Sequence, residues 1–343
     1  MTKSFLYSIL ISLSLLVSCN PDNPLRSGDL VYDILKADTG SEELSLTDNN
    51  LSFSRQAVIP DFQTDFLFVS GEKYYGVSKT GRGYLFDANL EINTLFNIPD
   101  ASQMKKIYPI NSTEAIGTTD SETGIVLDLF SNAQAPDISF PFVPVEATPS
   151  LDQTFGSRLY ILSANGDFGY FATRNDSYVK IADNILSNSA LLENTSKNII
   201  YAAGVFEGKM IIKAYGTGER SDEEQGTEIT LAENSEIILD AIWGNSFLGY
   251  IITSKQVYIL SDFEDSAPTV FPSGIEYSNE NFISGTAKRS PNGQSIIVNL
   301  SRDGISSFLT FTEGLLNQYT LVQSPNSIND FIPLSLSITS TRQ

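Results

Sequence analysis

The feature that most constrains this chain is the regular return of one tight turn. Each turn is a polar di- or tripeptide between two short runs rich in Val, Ile, Leu, Tyr and Phe. The seven are Asp38-Thr39-Gly40, Lys79-Thr80-Gly81, Glu122-Thr123-Gly124, Asn165-Gly166-Asp167, Glu207-Gly208-Lys209, Ser254-Lys255-Gln256 and Arg302-Asp303-Gly304. All but the sixth contain a glycine. Counted from Gly40, Gly81, Gly124, Gly166, Gly208, Gln256 and Gly304, the steps are 41, 43, 42, 42, 48 and 48 residues. Short β-rich runs bounded by Gly, Asn, Asp, Ser and Pro are strands and turns. No long, capped helical period appears after residue 28. A four-stranded propeller blade takes roughly 40–50 residues, so the interval predicts an all-β single propeller with the same hairpin turn in each blade.

Seven turns predict seven blades, and six or eight are the other counts the pattern allows. Blade closure is visible at the ends. The hairpin around Gly40 lacks room for a whole blade ahead of it. The run Phe331-Ile332-Pro333-Leu334-Ser335-Leu336-Ser337-Ile338 supplies the missing strand. Pairing of N- and C-terminal strands closes the ring and removes two exposed edges. A pair of β-sandwiches or a large barrel would be built from similar short strands. The segment Ser290-Pro291-Asn292-Gly293-Gln294-Ser295-Ile296-Ile297-Val298 resembles the Ser-Pro-Asp/Asn-Gly turn of TolB-like and WD40-like propeller blades. That resemblance implies a link between two strands of one blade. The Trp-Asp dipeptide of WD40 blades is absent.

The first residues read differently. Lys3 precedes an apolar stretch from Phe5 to Val17, shorter than the roughly 20 residues of a membrane-spanning helix. It reads as the apolar core of a signal peptide, residues 1–18. Leu16-Val17-Ser18-Cys19 resembles the bacterial lipobox. The resemblance implies diacylglyceryl transfer to Cys19, cleavage before it and acylation of the new amine. Several acyl chains hold a protein stably on a membrane where one does not. Cys19 is the only cysteine, so no intramolecular disulfide is expected. Residue 20 is asparagine, and an aspartate there is the inner-membrane signal in enterobacteria. By that analogy the protein sits on the outer membrane of the cell envelope, facing the periplasm or the surface. Residues 19–28 form a lipidated, flexible tether, and 29–343 form the propeller. Asp265-Ser266-Ala267 looks like the O-glycan acceptor triplet of some Bacteroidota envelope proteins.

Charge and composition exclude much chemistry. With 21 Lys+Arg against 41 Asp+Glu, the formal charge is -20, which repels nucleic acid and anionic headgroups. No nucleic-acid partner is expected. The chain has no histidine, which removes Ser-His-Asp and Cys-His hydrolysis, His-ligated zinc and histidine acid–base chemistry. Gly76-Val77-Ser78-Lys79-Thr80-Gly81 is one residue too long for a nucleophile elbow. Gly204-Val205-Phe206-Glu207-Gly208-Lys209-Met210 is one residue short of a phosphate loop and places Met210 where a hydroxyl is needed. It reads as a blade hairpin.

Asp222, Glu223 and Glu224 lie in the densest charge run and are the candidate calcium ligands, although calcium wants six to eight converging oxygens and their spacing matches no EF-hand. A solvated loop is the plainer reading. Trp243 ends an apolar run and reads as core packing rather than a sugar platform. No cofactor is predicted. The expected function is a non-enzymatic binding or scaffold propeller for an envelope protein or glycan partner. The alternatives are a carboxylate-based or calcium-dependent enzyme active on glycosides or lactones, and an accessory solute-binding lipoprotein beside an outer-membrane transporter. An enzyme should show a deep axial pocket with two or more converging carboxylates, and a scaffold a filled or narrow axis with an exposed aromatic patch on one face.

Overall fold

The computed structural model describes residues 34–334, apart from 49–50, 52–53, 60, 72, 88–89, 151–156, 173–176, 187–188, 218–222, 232–234, 245–246, 264–266, 278–279, 281, 291–292 and 317–318. Cys19, the tether, Asp222 and the Asp265-Ser266 pair lie outside the described residues. The described chain is a seven-bladed propeller of antiparallel sheets.

The first blade holds β1 (Ile34–Asp38), β2 (Glu43–Thr47) and β3 (Ser54–Val58). The second holds β4 (Phe66–Ser70), β5 (Lys73–Ser78), β6 (Arg82–Phe86) and β7 (Ile92–Asn97). The third is β8 (Met104–Asn111), β9 (Glu114–Thr119), β10 (Thr123–Asp128) and β11 (Ala133–Gln134), with β12 (Ile138–Ser139) also on β10. The fourth is β13 (Pro144–Ser150), β14 (Arg158–Ser163), β15 (Phe168–Ala172) and β16 (Ser177–Ala182). The fifth is β17 (Ala190–Asn194), β18 (Ile199–Phe206), β19 (Lys209–Gly216) and β20 (Glu223–Thr230). The sixth is β21 (Ile238–Trp243), β22 (Leu248–Thr253), β23 (Gln256–Ser261) and β24 (Thr269–Glu276). The seventh is β25 (Ser284–Arg289), β26 (Ser295–Arg302), β27 (Ile305–Thr312) and β28 (Tyr319–Gln323). The last strand, β29 (Ile328–Pro333), returns to pair with β1 and completes the first blade.

All seven repeated turns join the second and third strands within one blade, counted from the axis. Two of them show why the sequence needs glycine there. Glu207 and Gly208 have φ of 49° and 74°, and Asp303 and Gly304 have 51° and 77°. Positive φ at both centres gives the primed twist that suits a tight hairpin. The third turn differs from expectation, because Gly124 lies inside β10. A Cβ there would stand 2.7 Å from the Phe140 ring, so this glycine makes room for packing rather than for a turn. The glycine-free sixth turn is held by a side chain, since Thr253 Oγ1 accepts from the Lys255 N–H at 3.3 Å. The same device recurs at Ser78, Thr119 and Ser163, which accept from the N–H two residues on at 3.2, 3.1 and 3.2 Å. Ser290 and Gly293, whose N–H donates to the Ser290 carbonyl at 2.7 Å, lie between β25 and β26, as the blade resemblance implies, while Pro291 and Asn292 lie outside the described residues.

Closure uses Ile328–Pro333, a strand that starts three residues earlier than Phe331. Its register runs from Ile34 opposite Pro333 to Asp38 opposite Ile328. Phe331 is wholly buried and meets Phe308 edge-on, with ring centroids 5.3 Å apart. Burying this ring seats the strand against the seventh blade.

Neighbouring blades bury their faces on one another. Leu192, Tyr201 and Ala203 of the fifth blade pack with Ala241, Ile251, Tyr258 and Leu260 of the sixth. Tyr250, Ile252 and Val257 of the sixth pack with Ile296, Val298 and Leu309 of the seventh. Each large apolar side chain so buried contributes about 1.5–3 kcal/mol. The innermost strands, β29, β4, β8, β13, β17, β21 and β25, touch in succession around the axis. Their inward faces form the wall of the site described next.

Candidate functional site

Four of the innermost strands carry an extra residue beside the axial cavity, and β8 has a second one between Pro109 and Asn111. The register slips between Met104 and Lys106, between Pro144 and Glu146, between Ile238 and Asp240, and opposite the step from Ala37 to Asp38. The extra residues are therefore Lys105, Val145, Leu239 and Asn329. A bulge bends the strand and re-aims the side chain beside it. The residue after each of these four is charged: Lys106, Glu146, Asp240 and Asp330. All four line one axial cavity of about 360 Å³, together with Asp65, Tyr108, Thr286 and Lys288.

Two ion pairs span the wall. Lys106 Nζ donates to Glu146 Oε2 at 3.0 Å, from the third blade to the fourth. Lys288 Nζ donates to Asp330 Oδ1 at 2.6 Å, to the Leu67 carbonyl at 3.0 Å and to the Phe331 carbonyl at 2.7 Å. Those three bonds use every ammonium hydrogen of Lys288. Asp330 also accepts from the Phe331 N–H at 2.8 Å and the Leu67 N–H at 2.8 Å. The Lys288–Asp330 pair thus ties the closing strand to the blades on both sides.

Asp240 is held otherwise. Its two oxygens accept from the Ala241 N–H at 2.8 Å and the Ala287 N–H at 2.7 Å. Among the described residues no lysine or arginine comes within ion-pair distance of it. It sits deep in the molecule yet only half-buried, because the cavity admits water to one side. Burial, aided by the nearby Glu146 charge and opposed by Lys106, pushes its carboxyl up to about 6. The folded carboxyl therefore keeps its proton to higher pH than an unfolded one. Asp240 supports the fold most below about pH 4 and progressively less as the pH rises through 6. Carbon-detected NMR titration of the carboxyl groups should show one aspartate with a midpoint near 6, and that signal should vanish in Asp240→Asn. A midpoint near 4 would mean that the cavity solvates Asp240 fully. Burial also pushes the Tyr108 phenol up, far above its ordinary range.

The residues singled out in the sequence fall elsewhere. Glu223 and Glu224 begin β20 and pair with Tyr215 and Ala214, so this part of the acidic run is strand rather than loop. Among the described residues no cluster of three or more Asp, Glu, Cys or His stands ready for a metal ion. Trp243 stacks on Tyr201, centroids 5.5 Å apart and planes 8° from parallel, against the core between the fifth and sixth blades. It is a packing residue. Gly204–Met210 forms the β18–β19 hairpin, and Gly76–Gly81 is the end of β5 and its turn. The sequence does carry a signal for an axial residue, a single charge interrupting an apolar run, as in Ile238-Leu239-Asp240-Ala241-Ile242. The converging carboxylates expected of an enzyme are present, but Glu146 and Asp330 are both neutralised by lysine.

No protein-family model and no curated protein matches the chain. Solved structures do match in shape. A dihydro-heme d1 dehydrogenase, NirN, in complex with DHE aligns with a TM-score of 0.57 and 10% identity over 92% of this chain and 78% of that one. A hydrazine synthase from Kuenenia stuttgartiensis aligns with a TM-score of 0.56 and 10% identity over 79% and 90%. A chain of a mitotic checkpoint complex aligns with a TM-score of 0.57 and 10% identity over 81% and 91%. At a tenth of residues identical, among proteins so unlike one another, the similarity is one of β-propeller fold.

Proposed function

We propose that this protein is a lipid-anchored envelope lipoprotein whose propeller binds a protein or polymer partner without catalysing a reaction on it. The lipobox-like Leu16–Cys19 segment supports the anchor, and Asn20 after it supports the outer-membrane address. The observation that carries the non-enzymatic reading is the state of the axis. A glycoside-cleaving site needs two carboxylates free to act as acid and as nucleophile or base. Here Glu146 and Asp330 are tied to Lys106 and Lys288, and Asp240 is bound to two main-chain N–H groups. These bonds hold blades together. A rigid ring with variable loops on two broad faces suits recognition.

The test is a pull-down from detergent-solubilised envelope with the lipidated protein, using Cys19→Ala as the unanchored control. Mass spectrometry of the mature N-terminus checks the acylation itself. A discrete partner retained by the anchored form and lost from the control is the expected result. Retention of nothing by either form would remove the scaffold reading.

A further inference from the structure

Two carboxylates lining the axial cavity, Asp65 and Asp240, have no ion-pair partner among the described residues. Lys106 is matched by Glu146, Lys288 by Asp330, and Lys105 by Asp120 at 2.8 Å. Asp65 caps the Lys79 N–H at 2.7 Å near the outer end of β4. Asp240 is the one of these two that lies on an innermost strand, held by two main-chain N–H groups and by no cation among the described residues. A partly desolvated carboxylate in that position is costly to keep ionised. A cation supplied by a ligand would offset the cost and would gain a charge-assisted hydrogen bond in a sheltered site.

Lys106 adds a second, complementary feature. One of its three ammonium hydrogens is given to Glu146, and 51% of its side-chain area stays accessible. It can therefore offer a hydrogen to an acceptor inside the cavity. Lys288, with all three hydrogens used, cannot. The cavity volume of about 360 Å³ lies within the range of small-molecule sites and too low for a folded partner.

We propose that the axial cavity binds a small primary amine that also carries a hydrogen-bond acceptor, its ammonium on Asp240 and its acceptor on Lys106. The site is independent of the protein or polymer partner proposed above, and neither reading requires the other. The other ionisable groups lining the cavity are Lys105 and Tyr108 on β8, Glu146 on β13, Lys288 on β25, Asp330 on β29 and Asp65 just before β4. Burial pushes the Asp240 carboxyl up to about 6, so its ionisation gives the site a pH dependence.

Isothermal titration calorimetry on the full-length mature protein tests this with matched probes. 5-Aminopentan-1-ol is compared with 1,5-pentanediol and pentylamine, and D-glucosamine with D-glucose. At pH 7.5 at least one of the two amino-alcohols should bind, about tenfold or more tighter than its hydroxyl twin. Asp240→Asn should erase that preference while circular dichroism shows the fold retained. In the wild-type protein, affinity for the amine should fall about tenfold between pH 7.5 and pH 5, as the ionised fraction of Asp240 falls. That pH series needs no variant, so it decides the matter even if Asp240→Asn unfolds. The proposal is overturned if neither amino-alcohol binds, if amines bind no better than their hydroxyl twins, or if the preference survives in a folded Asp240→Asn protein. None of these outcomes bears on the envelope pull-down.

Discussion

Phe331→Ala will cost the propeller about 3–5 kcal/mol, the usual price of cutting a buried phenylalanine back to alanine. The ring is wholly buried, meets Phe308 edge-on, and packs in a cluster with Ile34, Ile297 and Ile328. The Lys288 ammonium lies over it, 5.2 Å from the centroid. The substitution removes the contact that seats the closing strand on the seventh blade. It leaves the Lys288–Asp330 pair facing a hole. In urea titration the midpoint should drop sharply, with Leu321→Ala on an exposed strand position as a control that changes stability by less than about 0.5 kcal/mol. If Phe331→Ala behaves like the control, β29 is not what holds the ring closed.

Asp262→Ala should be comparably severe, by a different cause. Asp262 is buried just after β23 and accepts hydrogen bonds from Asn194 Nδ2 at 3.0 Å, Lys197 Nζ at 2.6 Å and the Tyr201 hydroxyl. All three donors belong to the fifth blade, and the acceptor belongs to the sixth. Removing the acceptor leaves the largely buried Lys197 ammonium with the Phe263 carbonyl at 2.9 Å but no counter-charge, and breaking such a pair typically costs about 3–5 kcal/mol. The double variant Asp262→Ala with Lys197→Met should recover much of the loss, since it removes charge from both sides. Trp243, the only tryptophan, stacks on Tyr201 at this same interface. Its emission should shift to the red in Asp262→Ala if the two blades part there. Equal stability of the single and double variants would mean that the charge is not the source of the cost.

The blades were legible in the sequence and the axis was not, for one physical reason. A hairpin turn is local, and its residues declare it: Glu207-Gly208 and Asp303-Gly304 need positive φ whatever the rest of the chain does. The repeat of such turns then fixes the size of a blade. The axial site is assembled from strands more than 200 residues apart, such as β4 and β29. Which side chain faces inward depends on a bulge, and a one-residue slip turns every later side chain to the other face. Nothing in Lys105-Lys106 or Leu239-Asp240 says locally which residue is the extra one. The acidic run at 219–224 drew notice by its density, yet Glu223 and Glu224 are at the far edge of the fifth blade, on its outermost strand.

The mismatch in distance along the chain has a consequence in time. Asp38 and Asn326 bond side chain to side chain across 288 residues, and Thr39 and Asn329 across 290. Contacts of that span cannot reward the chain until almost all of it has been made, and folding slows as such contacts come to dominate. Six blades can form in order as they emerge. The first blade waits with the edge of β1 bare until β29 arrives from the other end. During that interval the β29 of a second copy fits the vacant edge as well as the chain's own, so crowded synthesis favours exchanged dimers. Slow dilution during refolding should favour the monomer.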